Sequence, residues 1–295
     1  MARSKFKIIT IAAILLFIFS CYFYDRHEQQ RVSGVSENSS SSSTLSLNFF
    51  DVGQGDSSLI ITPSGQDILI DGGPDNKVLA KLGQALPFYD QEIELLILSH
   101  PHGDHLTGLL QVLFRYQVDK IIMSGVVHTS YDYLEFLKLI KEKNIPVQII
   151  DRTQELTLEP ELKLFFLFPD KSLAGERLEN LNNSSVVFKL LYASTSALFT
   201  GDFEDEEILA SSSLDLRADI LKVGHHGSTN ANSQSFLAKV KPQFAVISVG
   251  RDNQYGLPGY RTVYELKKLG ADVLRTDEMG DIKFKSDGRG WQLLK

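Results

Sequence analysis

Several apolar segments of this chain end in residue types that commonly bind metal. The segment IELLILS runs directly into HPHGDH, which brings His100, His102, Asp104 and His105 together within six residues. The whole chain has seven histidines, so this density at one strand end is not expected of a polar surface loop. Imidazole and carboxylate groups are ligands of zinc, manganese and iron. We therefore predict a site for divalent metal, with Asp104 and His105 able to face a second, adjacent ion.

Two further apolar segments end in the same residue types. ALFT precedes Gly201 and Asp202, and DILKV precedes GHHGS, which contains His225 and His226. If the ALFT strand runs parallel beside the strand before His100, Asp202 emerges at the same sheet edge, where its two oxygens can bridge two ions. Adjacent residues of an extended chain face opposite ways. We therefore expect one of the two histidines to bind metal and the other to donate a proton or bind an anion.

Two glycine-rich turns also carry carboxylates. DILIDGG ends a strand at Asp71, which either caps a turn or accepts a hydrogen bond from a metal-binding imidazole. FFDVGQGDSSLI contains Asp51, Gln54 and Asp56 around its glycines. A tight hairpin explains those glycines, and backbone amides in such a turn can also cradle a phosphate.

Short strand-like runs follow one another from residue 45 onward and then alternate with helical segments. This order predicts a layered α/β fold, in which two sheets have helices on their outer faces. The pattern does not determine the order of the strands within each sheet. Helices are expected over residues 77–86, 106–116, 133–143, 204–210, 233–240 and 261–269.

The N-terminal part of the chain differs in composition from the rest. Residues 1–24 carry basic residues before an apolar run, which predicts an N-terminal signal anchor or a cleaved signal peptide. In a cleaved form, Cys21 would carry a lipid. Residues 25–44 are a serine-rich linker, and residues 45–295 are the folded domain. We expect this domain to be extracytoplasmic, anchored to the cell membrane by a single span or as a lipoprotein, or secreted.

Charge and cysteine content limit the kinds of partner and cofactor. The net charge of −7 argues against loose electrostatic binding to nucleic acid, which favours a basic surface. Metal ions bound at the site can supply positive charge, so the composition still permits an enzyme that acts on nucleic acid. The single cysteine excludes an intramolecular disulfide and cysteine-based zinc sites in the domain.

Together these motifs resemble the metallo-β-lactamase superfamily, and within it the extracytoplasmic hydrolase domain of the ComEC competence-protein family. VGQGDS and VGHHGS carry the more specific part of the resemblance, and HxHxDH carries the general part. The resemblance covers residues 45–286 and implies a four-layer αββα sandwich, with an α/β (α+β) fold and a metal site at one edge of the two sheets. It implies two divalent metal ions, zinc or manganese.

The resemblance also implies roles for individual residues. His100, His102 and Asp202 would hold one ion, and Asp202 would bridge to a second. The second ion would be held by Asp104, His105, Asp202 and His225, while Asp104, His226 and Asp71 would take part in catalysis. Candidate contacts to substrate are Asp51, Gln54, Asp56, Ser228, Asn253 and Tyr255.

Two departures from the resembled families bear on activity. The superfamily commonly has a third-motif histidine on the first ion, where this chain reads Asn182-Asn183-Ser184-Ser185. Water, or an oxygen of Ser or Asn, would then complete that site, which favours manganese over zinc. A closing Tyr-Gly-His-Pro motif reads Tyr-Gly-Leu-Pro here, with Leu257 in place of the histidine. Leu257 can neither bind metal nor transfer a proton.

The function that these features predict is a metal-dependent hydrolase, specifically a phosphodiesterase or nuclease acting on DNA outside the cytoplasmic membrane. Two alternatives remain open. One is a cell-surface phosphoesterase similar to phosphorylcholine esterases, which the acidic composition also suits. The other is a non-catalytic accessory module that assists a separate DNA-uptake machinery, which the replacement at Leu257 keeps open.

Overall fold

The computed structural model describes residues 44–294 of the chain. The predicted anchor or signal peptide, and all of the predicted linker except its last residue, lie outside this range. Among residues 44–294, none of the helices combines the length and the apolar character that crossing a bilayer requires.

The first of two large sheets has eight strands and both strand directions. One half is antiparallel and contains the two strands of the C-terminal hairpin, and the other half is parallel. Its strands in spatial order are β17 (Trp291–Leu294), β16 (Ile282–Ser286), β1 (Leu45–Phe49), β2 (Ser58–Ile61), β3 (Asp67–Ile70), β5 (Leu95–Ile97), β7 (Ile121–Met123) and β8 (Val147–Ile149).

The second sheet has seven strands and the same division into a parallel and an antiparallel half. Its strands in spatial order are β15 (Asp272–Arg275), β14 (Phe244–Ile247), β13 (Ile220–Lys222), β12 (Thr195–Phe199), β11 (Val187–Tyr192), β10 (Leu162–Phe168) and β9 (Gln154–Glu159). A short parallel pair joins β4 (Glu92–Ile93) to β6 (Gln117–Val118).

The helices form the two outer layers, and one of them begins inside the HPHGDH motif. They are α1 (Lys77–Ala85), α2 (Gly103–Arg115), α3 (Tyr131–Lys143), α4 (Glu206–Ser211), α5 (Gln234–Val240), α6 (Tyr260–Lys268) and α7 (Thr276–Met279). The sequence predicted the start of α2 at Leu106, where its apolar periodicity begins. The helix starts three residues earlier, so Asp104 and His105 lie in its first turn rather than in a loop.

Three buried apolar clusters hold the four layers together. Residues of α1, α2 and α3 pack on the first sheet, and residues of α4, α5 and α6 pack on the second. Between the sheets, the rings of Phe188 and Phe199 stack with centroids 4.9 Å apart, and Phe49 stacks on Phe199. This arrangement is the four-layer αββα sandwich that the family resemblance implied.

The topology brings the strand ends that carry the motifs to one edge, but by a different route from the one expected. β5, which precedes His100, lies in the first sheet, and β12, which precedes Asp202, lies in the second. The condition under which the sequence placed Asp202 beside His100, that the two strands are parallel neighbours, is therefore not met. The two sheet edges meet directly, because a Cβ added to Gly201 would lie 2.9 Å from the Cβ of Ser99.

Candidate metal centre

The first half of the site is built around Asp71, at the end of β3. Its carboxylate accepts hydrogen bonds from the backbone N–H of Ser99 (2.8 Å) and from the Ser99 hydroxyl (2.7 Å). The same carboxylate lies 2.8 Å from Nδ1 of His105. This contact favours a proton on Nδ1 and directs Nε2 of His105 toward the site, as in metal-binding histidines held by a carboxylate.

Two glycines allow helix α2 to approach the turn that follows Asp71. The backbone N–H of Gly72 donates to the carbonyl of His105 (2.7 Å), and that of Gly108 donates to the carbonyl of Gly73 (2.9 Å). A Cβ on Gly108 would lie only 1.9 Å from the carbonyl oxygen of Gly72. The glycines in DGG and HLTG thus permit the close packing that brings His105 against Asp71.

The second half of the site comes from the ends of β12 and β13, which are parallel neighbours. Ligand atoms of Asp104, His105, Asp202 and His226 all lie within 4.8 Å of one another. Oδ2 of Asp202 is 3.3 Å from Nε2 of His105 and 3.6 Å from Nε2 of His226. The other ring nitrogen of His226 lies 3.0 Å from the carbonyl of Ser248, which directs Nε2 toward the carboxylates.

The two adjacent histidines occupy a tight turn and not an extended strand. Both have left-handed backbone conformations, with φ of 47° at His225 and 51° at His226. Nδ1 of His225 lies 2.8 Å from Glu204 Oε1, and its Nε2 lies 3.9 Å from Asp202 Oδ2. His226 is buried, whereas the His225 side chain is 25% exposed. The structure therefore places His226 within the group of four, which comprises Asp104, His105, Asp202 and His226, and His225 at the rim of that group. Which of the two histidines binds metal stays a prediction.

His100 and His102 form the remaining part of the centre. Nε2 of His100 lies 2.9 Å from Nδ1 of His102, and the rings of His100 and His105 are 4.3 Å apart. Two nitrogens that converge in this way can bind one ion. Burial lowers the pKa of His100 well below its ordinary value, which keeps this imidazole neutral and able to act as a ligand.

The charges within the group of four compensate one another. Burial opposes protonation of His105, but Asp202, Asp71 and Asp104 outweigh burial and raise its pKa well above the ordinary value. Burial is outweighed in the same way at His226, where Asp202 and other carboxylates raise the pKa to about 10. These protonated imidazoles hold the positive charge that a divalent cation would supply, so metal binding must displace protons.

A buried ion pair lies behind the group of four. Lys222, at the end of β13, pairs with Asp56, and both side chains are almost fully buried. Burial alone would raise the pKa of Asp56, but Lys222 and His226 outweigh it and lower the pKa. The backbone of Asp56 donates to the carbonyl of Asp104 (3.1 Å), which ties this pair to the metal-binding motif.

Sequence reasoning missed Lys222 and Glu204. A lysine inside the apolar run DILKV is a signal that could have identified Lys222, since a strand buried on both faces seldom carries an unpaired charge. Glu204 lacks such a signal, because the sequence does not show that its loop folds back onto His225.

Most of the predicted substrate contacts also interact within the fold, and their contact with a substrate stays a prediction. Asp51 and Gln54 accept hydrogen bonds from the backbone of Gly53 and Gly250. Asn253 makes four hydrogen bonds that hold its own loop together. Asp56 is in the buried ion pair, the Ser228 hydroxyl accepts from the backbone of Asn230, and Tyr255 is 66% exposed. Leu257 packs against the apolar cluster beneath α5 and α6.

The residues present fit divalent metal. The group combines imidazole nitrogens with carboxylate oxygens, the donor set of zinc, manganese and iron sites. Within residues 44–294, the buried oxygen Asp202 Oδ1 has no hydrogen-bond partner, and the buried His105 Nε2 lies 3.3 Å from Asp202 Oδ2 without the geometry of a hydrogen bond. Buried polar atoms of folded proteins are rarely left in this state, and a bound ion accounts for them.

Comparison with known proteins agrees with this geometry. The family model described as the metallo-beta-lactamase superfamily matches residues 50–251, more than half of the chain. The chain therefore belongs to the metallo-β-lactamase superfamily, and the predicted fold is confirmed.

The chain is also similar to proteins named for competence and recombination. ComE operon protein 3 of Bacillus subtilis is 28% identical over 84% of this chain and 34% of that protein. Recombination protein 2 of Haemophilus influenzae is 28% identical over 81% of this chain and 29% of that protein. Competence protein ComA of Neisseria gonorrhoeae is 27% identical over 82% of this chain and 32% of that protein. The chain thus spans about a third of the length of these relatives.

Solved structures share the fold at low identity. The metallo-beta-lactamase fold protein YhfI of Bacillus subtilis has a TM-score of 0.54 and 16% identity, over 82% of this chain and all of that chain. CmlA of Streptomyces venezuelae, a diiron beta-hydroxylase, has a TM-score of 0.52 and 15% identity, over 81% of this chain and 53% of that chain. One fold therefore serves different reactions, and the reaction has to be argued from the site.

Proposed function

We propose that this protein is a metal-dependent phosphodiesterase that cleaves DNA outside the cytoplasmic membrane. The observation that carries the proposal is the convergence of Asp104, His105, Asp202 and His226 within 4.8 Å, beside the pair His100 and His102. The similarity to competence proteins supports DNA as the substrate class.

Two divalent ions, zinc or manganese, fit the donor groups. His100, His102 and Asp202 would hold one ion, and Asp104, His105, Asp202 and His226 would hold the other. When bound, such ions supply Lewis-acid stabilisation of phosphoryl oxygens and lower the pKa of water. The protein's own contribution is to fix the donors, and Asp71 does so by holding His105 in one tautomer and orientation.

We propose that His226 binds metal and that His225 acts in proton transfer, which is the reverse of the roles that the sequence resemblance implied. His226 is buried and points Nε2 at two carboxylates, which suits a ligand. His225 is partly exposed, with Glu204 at one nitrogen and the other directed toward the site. A partly exposed imidazole oriented by a carboxylate can contact the substrate and donate a proton to the leaving oxygen.

The test is cleavage of end-labelled single- and double-stranded DNA by the purified protein with manganese, zinc or chelator. We expect metal-dependent cleavage that is abolished in His102→Ala. His128→Ala is the matched control, because His128 lies outside the centre, against the ring of Tyr133, and this variant should cleave normally. DNA cleavage that survives both chelation and the His102 substitution would contradict the proposal.

A second substrate class is favoured by one observation, the net charge of −7. A negative chain repels a long polyanion but tolerates a small zwitterionic phosphodiester, such as a phosphorylcholine ester at the cell surface. Cleavage of a choline phosphodiester without cleavage of DNA would favour this function. Bound metal without turnover of either substrate would instead favour a non-catalytic accessory role in DNA uptake.

A further inference from the structure

Helix α6 presents a row of aromatic and basic side chains to solvent. Tyr260 is 84% exposed and Tyr264 is 50% exposed, whereas Thr262 and Leu266 are buried on the opposite face. The two tyrosine rings stack with centroids 6.2 Å apart and planes inclined by 23°. Nζ of Lys268 lies 6.0 Å from the centre of the Tyr264 ring. Steps of four residues keep these side chains on one face, over about 12 Å of helix.

This row begins beside the metal centre. Helix α6 starts directly after Gly259, whose backbone N–H donates to the carbonyl of Gly227 (3.0 Å), the residue that follows His226. The hydroxyl of Thr262 donates to the carbonyl of Ser228 (3.1 Å). The first turn of α6 is therefore fixed to the turn that carries the two adjacent histidines. A polymer with one bond at the metal centre can continue along the exposed face of α6.

The charge of this helix is opposite in sign to that of the whole chain. The chain has a net charge of −7, but α6 carries Arg261, Lys267 and Lys268 against a single acidic residue, Glu265. Nζ of Lys268 lies 3.5 Å from Glu265, and the Lys268 side chain is still 53% exposed, so it can reach a phosphate. Exposed aromatic rings beside basic side chains are the combination with which proteins bind nucleic-acid single strands.

We propose that the exposed face of helix α6 binds single-stranded nucleic acid, with bases stacked on Tyr260 and Tyr264 and a phosphate beside Lys268. This inference rests on the proposed function, because it identifies the form of DNA that the metal centre receives. The faces of paired bases are already stacked within a duplex, so the tyrosine rings could contact only its backbone. Unpaired bases offer their faces, and single strands should therefore bind more tightly than duplex.

The experiment measures binding of the full-length chain to a labelled oligothymidine, and to the same strand in a duplex, by fluorescence anisotropy. Excess chelator prevents metal-dependent cleavage, so the assay reports binding alone. We expect the wild-type chain to bind the single strand more tightly than the duplex. Tyr260→Ala and Tyr264→Ala should each weaken binding of the single strand by at least about fivefold, because each removes one stacked base. Binding of the duplex should change little.

Two kinds of control show whether the rings themselves are responsible. Tyr260→Phe and Tyr264→Phe retain the ring and lose only the hydroxyl, so they should bind oligothymidine as the wild type does. Tyr89→Ala is the matched control at another exposed tyrosine. Tyr89 is 73% exposed and lies against the ring of Phe88, in the segment between α1 and β4. This variant should also bind as the wild type does.

The outcomes separate the inference from the proposed function. Unchanged affinity for oligothymidine in Tyr260→Ala and Tyr264→Ala would overturn the inference, and so would equal affinity of the wild-type chain for single strand and duplex. Either result would leave the proposed metal site intact. If the wild-type chain binds oligothymidine through the two rings but cleaves neither form of DNA with manganese or zinc, the binding surface is supported and the proposed function is overturned.

Discussion

Replacement of Lys222 by methionine tests whether the ion pair behind the metal centre holds the site together. Lys222→Met retains most of the apolar stem but leaves the carboxylate of Asp56 buried without its main partner. Removing one member of a buried pair costs about 3–5 kcal/mol. His226 lies 3.3 Å from the other oxygen of Asp56 and remains, so we expect the lower half of that range. At roughly 2–4 °C per kcal/mol for a domain of this size, the Tm should fall by about 6–16 °C.

The assay is thermal and urea unfolding in excess chelator, because bound metal would stabilise the folded state and mask the loss. The double variant Asp56→Asn with Lys222→Met removes both charges. It should unfold at a higher temperature than Lys222→Met alone, and the cycle with the two single variants measures the coupling. A loss below about 1 kcal/mol in Lys222→Met, or additive effects in the cycle, would refute the claim that the pair stabilises the site.

Three further predictions concern the two adjacent histidines, Gly108 and Asp67. His226→Ala should lose tightly bound metal, whereas His225→Ala should retain the metal and lose turnover. Metal analysis and a phosphodiester cleavage assay measure the two effects. The reverse result would restore the assignment that the sequence resemblance implied. Gly108→Ala should destabilise the fold by about 1–3 kcal/mol in urea unfolding, because its Cβ meets a backbone oxygen. Gly83→Ala should be neutral or stabilising, because among the described residues its Cβ would have no atom within 4 Å apart from its chain neighbours and its own helix backbone. Burial and two neighbouring carboxylates raise the pKa of Asp67 from 3.8 to about 7. Between these two values the folded state holds a proton that the unfolded state has lost. The free energy of unfolding therefore falls as the pH rises from about 4 to 7. Asp67→Asn should flatten that slope and raise the urea midpoint at pH 8, and an unchanged slope would contradict the assignment.

The layered fold could be predicted from the sequence because each strand and each outer helix has its own periodic signal. The predicted helix over residues 77–86 agrees with α1 to within one residue. The start of α2 could not be predicted in this way, because His102 and Gly103 carry no apolar period and the helix there is determined by contacts with the Asp71 turn. The short helix α7 and strands β6 and β9 were not predicted either.

The residue types of the site could be predicted, but their division into roles could not. His100, His102, Asp104, His105 and Asp202 lie together as their motifs indicated. The adjacent histidines could not be separated by sequence, because the argument assumed an extended chain. Their left-handed turn depends on packing, since a Cβ on neighbouring Gly227 would lie 2.6 Å from Pro258. That packing joins segments about thirty residues apart and leaves no local signal.

The division of the site between two sheets has a consequence for how it responds to change. The first sheet contributes Asp71 and the HPHGDH motif, and the second contributes Asp202 and His226. In the proposed site the metal ligands come from both sheets, so a shift of one sheet against the other would disperse them. The pair of Lys222 and Asp56 crosses the same boundary, since Lys222 ends a strand of the second sheet and Asp56 precedes a strand of the first. The stability of the sheet packing and the affinity for metal should therefore change together.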